Sequence, residues 1–415
     1  MATTPIAELG RRAKAAAAAV AAASTAQKNE ALLAAADLLE ARSAEVLAAN
    51  AEDVSAAEAD GASATVVDRL RLTEAKVSAM ADGLRQVASL ADPVGEVLDG
   101  WVRPNGLRIS RVRVPLGVVA IIYENRPNVT SDAFGLCLKS GNVAFLRGSS
   151  GAIRSNLAIS EILRDAVAKT GLPADALVMV DDTSREAAVE FMQLEGVVDC
   201  LIPRGGPSLI ASIKEHATVP YIVDGDGNCH LYVDEHADLD VAESLLVNGK
   251  TQRPSVCNAL ESLVVHASVA GEFLPRVDRA LGEVELVGDE RAVGAIERCA
   301  PAEEGDFSRE FLDLKLSIKV VDDLDEAISH VNDTGTGHSE AIVTRDIDSA
   351  DRFCAEVDAA AVLVNASTRF VDGEEFGFGA EIGISTQKLH ARGPMGLREL
   401  TTAKYVVRGT GQIRG

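Results

Sequence analysis

The part of this chain best suited to chemistry is the polar stretch 250–258, which contains one cysteine, Cys257. It follows a predicted helix at 239–248 and precedes the apolar run 263–265, which is typical of a buried strand. A loop between a helix and a strand can expose one reactive side chain, and a cysteine thiolate is a nucleophile. Cys257 is therefore a candidate nucleophile, although an unpaired cysteine is also commonly a small buried apolar residue.

A second candidate is the turn 203–208, in which Gly205 and Gly206 connect a predicted strand to a predicted helix. Backbone N–H groups at such a turn can bind an anion, for example the phosphate of a dinucleotide. The spacing is not a complete G-x-G-x-x-G pattern, so a simple tight turn remains the alternative.

Length and charge limit the classes of function. A chain of 415 residues is expected to form two or three domains. The formal net charge of −23 argues against a broad surface for nucleic acid or anionic membrane. A small anionic substrate is still compatible with this charge, because a local Arg or Lys pocket can override the overall field.

The cysteines and the N-terminus indicate a cytoplasmic protein with reduced thiols. Wide cysteine spacing without a C-x-x-C motif predicts neither a disulfide framework nor a zinc site, so no metal is expected. The Ala-rich run 13–23 continues into polar helical sequence, unlike a signal peptide, and no apolar stretch approaches the length of a membrane span. The cysteines are Cys137, Cys200, Cys229, Cys257, Cys299 and Cys354.

The elements that must position these residues follow an α/β pattern. Helices are predicted over most of residues 6–90, with capping-box spacing at Ser24 and Gln27. The alternating strand 107–114 is half exposed, and it could pair with the last strand, 405–407. Buried strands separated by helices then predict a doubly wound parallel sheet. These strands are 118–122, 142–146, 176–180 and 198–202, with helices at 129–139, 155–169 and 184–194.

A short strand at 221–223 and the turn-rich segment 224–228 suggest a hinge and a domain boundary. A second α/β pattern follows this boundary. Its predicted strands are 263–265, 316–321, 341–344 and 362–365, and its predicted helices are 239–248, 269–281, 324–331 and 347–357.

Several motifs together resemble the aldehyde dehydrogenase superfamily over nearly the whole chain. They are 114–118 (VPLGV), 123–130 (YENRPNVT), 139–142 (KSGN), 250–258 (KTQRPSVCN) and 376–381 (FGFGAE). The resemblance implies an α/β fold with a Rossmann-type dinucleotide domain at 1–97 and 114–225 and a catalytic domain at 226–397. It also implies a small β oligomerisation element at 98–113 and 398–415, and an active site in the cleft between the larger domains.

Motifs 124–130 and 251–258 are similar to those of members that reduce L-glutamyl 5-phosphate with NADPH in proline biosynthesis. That resemblance implies that Cys257 attacks the acyl phosphate, that phosphate leaves, and that reduction of the thioacyl enzyme releases L-glutamate 5-semialdehyde. Asn125 matches the side-chain donor of the oxyanion hole, which the backbone N–H of Cys257 completes. A turn role for Asn125 is the alternative.

The resemblance also implies binding residues. Arg147 stands where relatives have a Lys that contacts the cofactor, although a solvated strand-end residue is the alternative. Arg126 and Arg253 are the candidate clamps on the anionic substrate, with Lys250 in reserve; the alternative is that the two arginines brace their loops. His230 and His338 are expected to be structural hydrogen-bonding residues. The remaining cofactor candidates are Ser149, Ser150, Arg204, Gly205, Gly206 and Glu310.

Hydrolytic relatives carry a carboxylate that activates water. Val223 aligns with that position and Asp224 is one place further, so hydrolysis of the thioacyl enzyme is expected to be weak. A homo-oligomer, a dimer or tetramer, and a possible encounter with glutamate 5-kinase are the expected partners. Two alternatives stay open: an acylating relative that uses a coenzyme A thioester, and a non-catalytic binding module.

Overall fold

A computed structural model of the chain describes residues 3–223 and 225–414, which form two compact units. The first unit contains the chain up to Val223, together with Phe378–Gly383 and the C-terminal part from Met395. The second contains the chain that follows as far as Gly377, together with Ile384–Pro394. The three-part division expected from the sequence stays a prediction.

The first unit opens with helices because its segments rich in Ala and Leu carry apolar residues at three- and four-residue spacing. The predicted capping box is confirmed: Ser24 accepts a hydrogen bond from the Gln27 N–H, and the Gln27 side chain accepts one from the Ser24 N–H. In the described residues no helix is long and apolar enough to cross a membrane. The helices of this unit are α1 Ile6–Ala21, α2 Thr25–Ala41, α3 Ser43–Ala59, α4 Ala64–Leu70, α5 Glu74–Ser89, α6 Val129–Lys139, α7 Ile153–Lys169, α8 Arg185–Met192 and α9 Pro207–His216.

A four-stranded parallel sheet forms the centre of this unit, in the order β5-β4-β3-β6. Strands β3 and β4 are buried along their whole length, as their continuous apolar sequences predicted. The chain adds β4 and β5 on one side of β3 and then returns to place β6 on the other side. In such sheets ligands bind beyond the carboxyl ends of the strands where the order reverses. The strands are β3 Val118–Tyr123, β4 Val143–Gly148, β5 Leu177–Met179 and β6 Cys200–Arg204.

A separate antiparallel sheet is formed by β1 Val97–Val102, β2 Arg108–Pro115 and β16 Thr401–Arg408. The predicted pairing of the C-terminal strand with the strand near Leu107 is confirmed, and Val407 pairs with Ile109. Trp101 and Tyr405 are both exposed and meet edge to face, with ring centroids 6.3 Å apart.

The second unit has a seven-stranded sheet in the order β10-β9-β11-β8-β7-β12-β13, in which all neighbours are parallel. Its strands are β7 Cys229–Val233, β8 Leu260–His266, β9 Glu285–Gly288, β10 Ala300–Pro301, β11 Lys315–Val321, β12 Ser339–Val343 and β13 Ala361–Val364, with a small hairpin of β14 Ile384–Ser385 and β15 Gly393–Pro394. Its helices are α10 Leu239–Thr251, α11 Ala267–Ala280, α12 Glu290–Ala295, α13 Leu324–Thr334 and α14 Ile347–Glu356.

Strands β7, β9 and β10 were not predicted, and two local predictions are wrong. The sequence missed β7 because it follows a turn-rich segment that suggested a hinge. The strand expected at 221–223 is reduced to an isolated bridge between Tyr221 and Leu201. Helix α10 continues to Thr251, so the loop that contains Cys257 begins at residue 252 rather than at 250.

Candidate active site

The carboxyl ends of three neighbouring strands gather candidate residues at one edge of the parallel sheet in the first unit. Strand β3 leads directly to Asn125, β4 leads to Ser149, and β6 ends at Arg204. Because β3 and β6 are the pair at which the strand order reverses, this edge is the expected ligand-binding position of the sheet.

Asn125 is held by Ser149. Its backbone N–H donates to the Ser149 Oγ at 3.1 Å, and the Ser149 hydroxyl donates to Asn125 Oδ1 at 2.7 Å. Asn125 has a left-handed backbone with φ of 34°, a conformation uncommon for residues other than glycine. The sequence predicted Ser149 to be a cofactor contact, and it did not predict this contact with Asn125.

The Gly-rich turn already holds a carboxylate oxygen. The Gly206 N–H donates to Glu124 Oε2 at 3.0 Å. A Cβ on Gly205 would lie 2.7 Å from the Glu124 carboxyl carbon, so the Glu124 side chain packs directly against this glycine. The turn at the start of α9 therefore presents a backbone N–H that can donate to an anionic oxygen, and in this structure the Glu124 carboxylate accepts from it. Glu124 was missed as a partner of this turn.

Arg147 is buried rather than solvated, so the alternative reading of this residue is wrong. Its side chain donates to the carbonyl oxygens of Thr183 and Ser184 at 3.0 and 2.7 Å, and only 9% of the residue is exposed. Burial lowers its pKa, and the charge of Asp182 opposes that shift. Among the described residues its Nε has no hydrogen-bond partner. Arg147 thus lies at the end of β4 with one buried donor available, whereas Ser150 is exposed.

In the second unit, Cys257 lies in a turn between α10 and β8, which the Ala259 N–H closes by donating to the Val256 carbonyl at 3.0 Å. Cys257 is partly exposed. Cys354 is exposed, and the other cysteines are buried. Cys257 is more accessible than buried thiols such as Cys137. Burial raises the pKa of the Cys137 thiol.

The backbone of Cys257 is tightly held from the segment that enters β7. A Cβ on Gly227 would lie 1.6 Å from the Cys257 carbonyl oxygen, so only glycine fits there. The Cys229 thiol donates to the same carbonyl oxygen at 3.2 Å. Glu310 accepts from the Gly227 N–H at 2.8 Å, which places this predicted cofactor residue beside the Cys257 turn. Sequence reasoning missed Gly227 and Cys229, since Gly227 was assigned to a hinge and Cys229 was considered only as a reduced thiol.

Lys250 does not lie on a substrate surface, which corrects its predicted reserve role as a substrate contact. Its side chain is fully buried, and its Nζ lies 2.6 Å from Glu261 Oε2 and 2.8 Å from the Leu260 carbonyl oxygen. Burial lowers the pKa of Lys250, and burial raises the pKa of Glu261 to about 7 although the Lys250 charge opposes that rise. The pair joins the end of α10 to the start of β8, on either side of the Cys257 loop.

The remaining predicted residues are divided between exposed and buried positions. Arg126 follows β3 and Arg253 follows α10, and both are exposed. The expected hydrogen bonding of the two histidines is confirmed: His230 Nδ1 lies 2.9 Å from Glu340, and His338 Nδ1 lies 2.8 Å from the Ser339 hydroxyl. No group of His, Cys, Asp and Glu within residues 3–223 and 225–414 is arranged to hold a metal ion.

Val223, the residue aligned with the hydrolytic carboxylate, is buried with 8% exposure. Asp224, the neighbouring carboxylate, lies outside the described residues.

Comparison with known proteins agrees with these features. The sequence model of the aldehyde dehydrogenase family matches residues 3–302 and 316–406. A gamma-glutamyl phosphate reductase of Carboxydothermus hydrogenoformans is 56% identical over 412 residues, and one of Syntrophomonas wolfei is 53% identical over 409; these alignments cover 98–99% of each chain. The crystal structure of a gamma-glutamyl phosphate reductase from Thermotoga maritima is 47% identical, with a TM-score of 0.98 over 99% of this chain and 100% of that one.

These relatives carry the name of the reductases that the motifs at 124–130 and 251–258 predicted, so the resemblance inferred from the sequence is confirmed. The predicted α/β fold is confirmed as well, and members of the matched family are oxidoreductases that use a nicotinamide cofactor. The chain belongs to the aldehyde dehydrogenase family.

Proposed function

We propose that this chain reduces L-glutamyl 5-phosphate to L-glutamate 5-semialdehyde and phosphate with NADPH, as a step of proline biosynthesis. The observation that carries the proposal is 56% identity over 412 residues to a gamma-glutamyl phosphate reductase. Identity at that level over full length favours the same reaction over the coenzyme A-dependent alternative. An acetylating aldehyde dehydrogenase, by comparison, is only 17% identical and shares the fold.

Cys257 is the proposed nucleophile. Its thiolate attacks the acyl carbonyl carbon, the bond from that carbon to the phosphate oxygen breaks, and phosphate leaves with the electron pair. A thioester on Cys257 remains. Its partly exposed side chain in a turn whose backbone is held by Gly227 and Cys229 supports this role, because a nucleophile must be both accessible and fixed.

Asn125 is the proposed side-chain donor to the oxyanion, together with the backbone N–H of Cys257. The Ser149 hydroxyl occupies the oxygen end of the Asn125 amide, so the planar amide directs its NH₂ end away from Ser149. A donor that is oriented before the reaction stabilises developing negative charge without reorganising.

The residues at the carboxyl edge of the parallel sheet fit a dinucleotide. The Gly206 N–H donates to an anionic oxygen, that of Glu124, and Arg147 has a buried donor. We propose that these residues hold NADPH with Ser150, Arg204 and Glu310, and that Arg147 favours the cofactor that carries an extra phosphate. When bound, NADPH supplies the hydride that completes the reduction.

The substrate is an anion at both ends, and Arg126 and Arg253 are the proposed clamps because both are exposed cations in the family motifs. We propose a cytoplasmic homo-oligomer, because reduced cysteines favour the cytoplasm and the exposed sheet of β1, β2 and β16 carries apolar residues. We also propose glutamate 5-kinase as the partner that supplies the acyl phosphate.

The test is Cys257→Ala, assayed in the reverse direction with L-glutamate 5-semialdehyde, phosphate and NADP⁺. We expect loss of turnover with an unchanged circular dichroism spectrum and unchanged NADPH binding. The matched control is Cys354→Ala, since Cys354 is the other accessible cysteine and lies on α14. Activity near the wild-type level in Cys257→Ala would exclude the proposed nucleophile.

A further inference from the structure

A short segment after β13, residues 367–371, is fastened to the loop that carries Cys257. The Ser367 hydroxyl donates to the Asn248 side chain at 2.7 Å, and the Thr368 hydroxyl donates to the Asn258 carbonyl oxygen at 2.8 Å. The Asn258 amide donates in return to the Val371 carbonyl oxygen at 2.9 Å. These bonds lie on both sides of positions 369 and 370, and they set the position of the first of these two residues relative to Cys257.

That residue is Arg369, which the sequence analysis did not select. Its Nε donates to Gln252 Oε1 at 2.9 Å, so the guanidinium lies against the start of the Cys257 loop. Its Nη1 is buried and has no hydrogen-bond partner among the described residues. Burial lowers the pKa of Arg369, and the neighbouring charge of Arg253 lowers it further, while Asp372 and Cys257 oppose the shift.

Two guanidinium groups close enough to repel each other, one with an unused buried donor, are an unfavourable arrangement in the absence of a ligand. An anion between them would remove the repulsion and satisfy the donor. Planar guanidinium groups bind phosphate and carboxylate oxygens through paired N–H bonds. The arrangement therefore fits a compact anion with several oxygens beside Cys257.

We propose that Arg369, together with Arg253, binds the phosphoryl group of the acyl phosphate next to Cys257. The proposal rests on the function proposed above and names the part of the substrate that this site recognises. As the sulfur–carbon bond forms and the carbon–oxygen bond to phosphate breaks, the negative charge that collects on the leaving phosphate lies against two cations. In reverse, the same pair holds inorganic phosphate for attack on the thioester.

The α-carboxylate of the glutamyl part is the other anion that could use these groups. It differs from the phosphoryl group because it remains in both the acyl phosphate and the semialdehyde, whereas phosphate enters the reverse reaction as a separate substrate. Steady-state kinetics in the reverse direction can therefore distinguish the two, since the Michaelis constants for phosphate and for the aldehyde are measured independently.

The experiment compares Arg369→Gln with the wild-type enzyme and with Arg352→Gln. Arg352 is a control from the same unit, because it pairs with Asp325 and Glu356 on helix surfaces. Loss of hydrogen bonds to a charged group predicts a rise in KM for phosphate of about 10- to 100-fold in Arg369→Gln. The KM values for semialdehyde and NADP⁺ should change by less than about twofold, because losing a hydrogen bond to a charged group would change them by more than that. A rise in the KM for semialdehyde alone would overturn the proposal in favour of the α-carboxylate.

A binding measurement keeps the test independent of turnover. Inorganic phosphate should raise the thermal midpoint of the wild-type protein and of Arg352→Gln, and raise it much less in Arg369→Gln. If phosphate stabilised Arg369→Gln as much as Arg352→Gln, the proposed phosphate site would be excluded. If the wild-type protein lacked reverse activity but showed Arg369-dependent stabilisation, the proposed function would fail and the phosphate site would stand.

A second variant covers the possibility that Arg369→Gln does not fold. Arg369→Lys keeps the charge and loses the fork of donors, so it should give a KM for phosphate between those of the wild type and Arg369→Gln. A lysine variant with wild-type values for phosphate would show that paired N–H bonds from this side chain are not used.

Discussion

Ser149 and Asn125 hold each other through two hydrogen bonds: the Asn125 backbone N–H donates to the Ser149 Oγ, and the Ser149 hydroxyl donates to Asn125 Oδ1 at 2.7 Å. The two residues follow neighbouring parallel strands, β3 and β4, and are 24 positions apart. This contact keeps Asn125 in a left-handed conformation and determines which end of its amide can donate elsewhere.

We predict that Ser149→Ala lowers kcat by about tenfold or more, because a donor that must be oriented during the reaction stabilises the oxyanion less well. NADPH affinity, measured by fluorescence titration, should be nearly unchanged. The opposite pattern, weaker NADPH binding with a normal kcat, would mean that Ser149 contacts the cofactor, as its position in the sequence first suggested.

Arg147→Ala should raise the KM for NADPH by about 10- to 100-fold and raise the KM for NADH much less, because a forked guanidinium favours the additional phosphate. The variant also releases the carbonyl oxygens of Thr183 and Ser184, so its thermal midpoint should fall. Arg164→Gln is the matched control, since Arg164 also binds a backbone carbonyl, that of Leu177. If Arg147→Ala raised the KM for NADPH and the KM for NADH equally, Arg147 would contact the part that the two cofactors share, or neither cofactor.

Truncation after Lys404 should produce monomers or insoluble protein. It removes the second half of β16, an eight-residue strand, and exposes the edge of β2. Light scattering of the truncated and full-length chains measures the result. Truncation after Arg408 keeps the strand and is the control. A chain ending at Lys404 with the full-length particle size would contradict the proposed role of this sheet in assembly.

Oxidation of L-glutamate 5-semialdehyde with NADP⁺ should require added phosphate. A buried valine at position 223 cannot accept a proton, and general-base assistance is typically worth about 10²–10⁴-fold. Phosphate needs no such base because it is already ionised. Without phosphate we expect at most a burst of about one NADPH per Cys257, followed by little turnover.

The competing possibility is that Asp224 acts as the base for water. It predicts sustained turnover in phosphate-free buffer that disappears in Asp224→Asn. Stopped-flow absorbance at the NADPH band separates a burst from sustained turnover. Sustained phosphate-independent turnover would show that the alignment of Val223 with the hydrolytic carboxylate is wrong.

The sequence by itself determined the α/β class, the order of most strands along the chain, and Cys257 as the candidate nucleophile. Continuous apolar runs such as 118–122 are local patterns, and a strand buried on both faces has to be apolar regardless of its neighbours. The motif 250–258 identified the family because its residue types are contiguous. Pairing of β16 with β2 was predicted because the alternating strand 107–114 is half exposed and its arginines need solvent or a partner, and the chain ends in one further strand.

The tertiary structure alone decided which polar side chains face solvent and which face each other. The sequence position of Lys250 cannot show that its ammonium group is buried against Glu261. A lysine in the last turn of a helix can point toward solvent or toward the protein interior. Arg369 lies more than 100 residues from Gln252 in sequence, and the contact exists because β13 and the Cys257 loop meet only after the sheet forms. Hydrogen-bond partners across strands depend on sheet order, which is a long-range property, whereas burial periodicity is a local one.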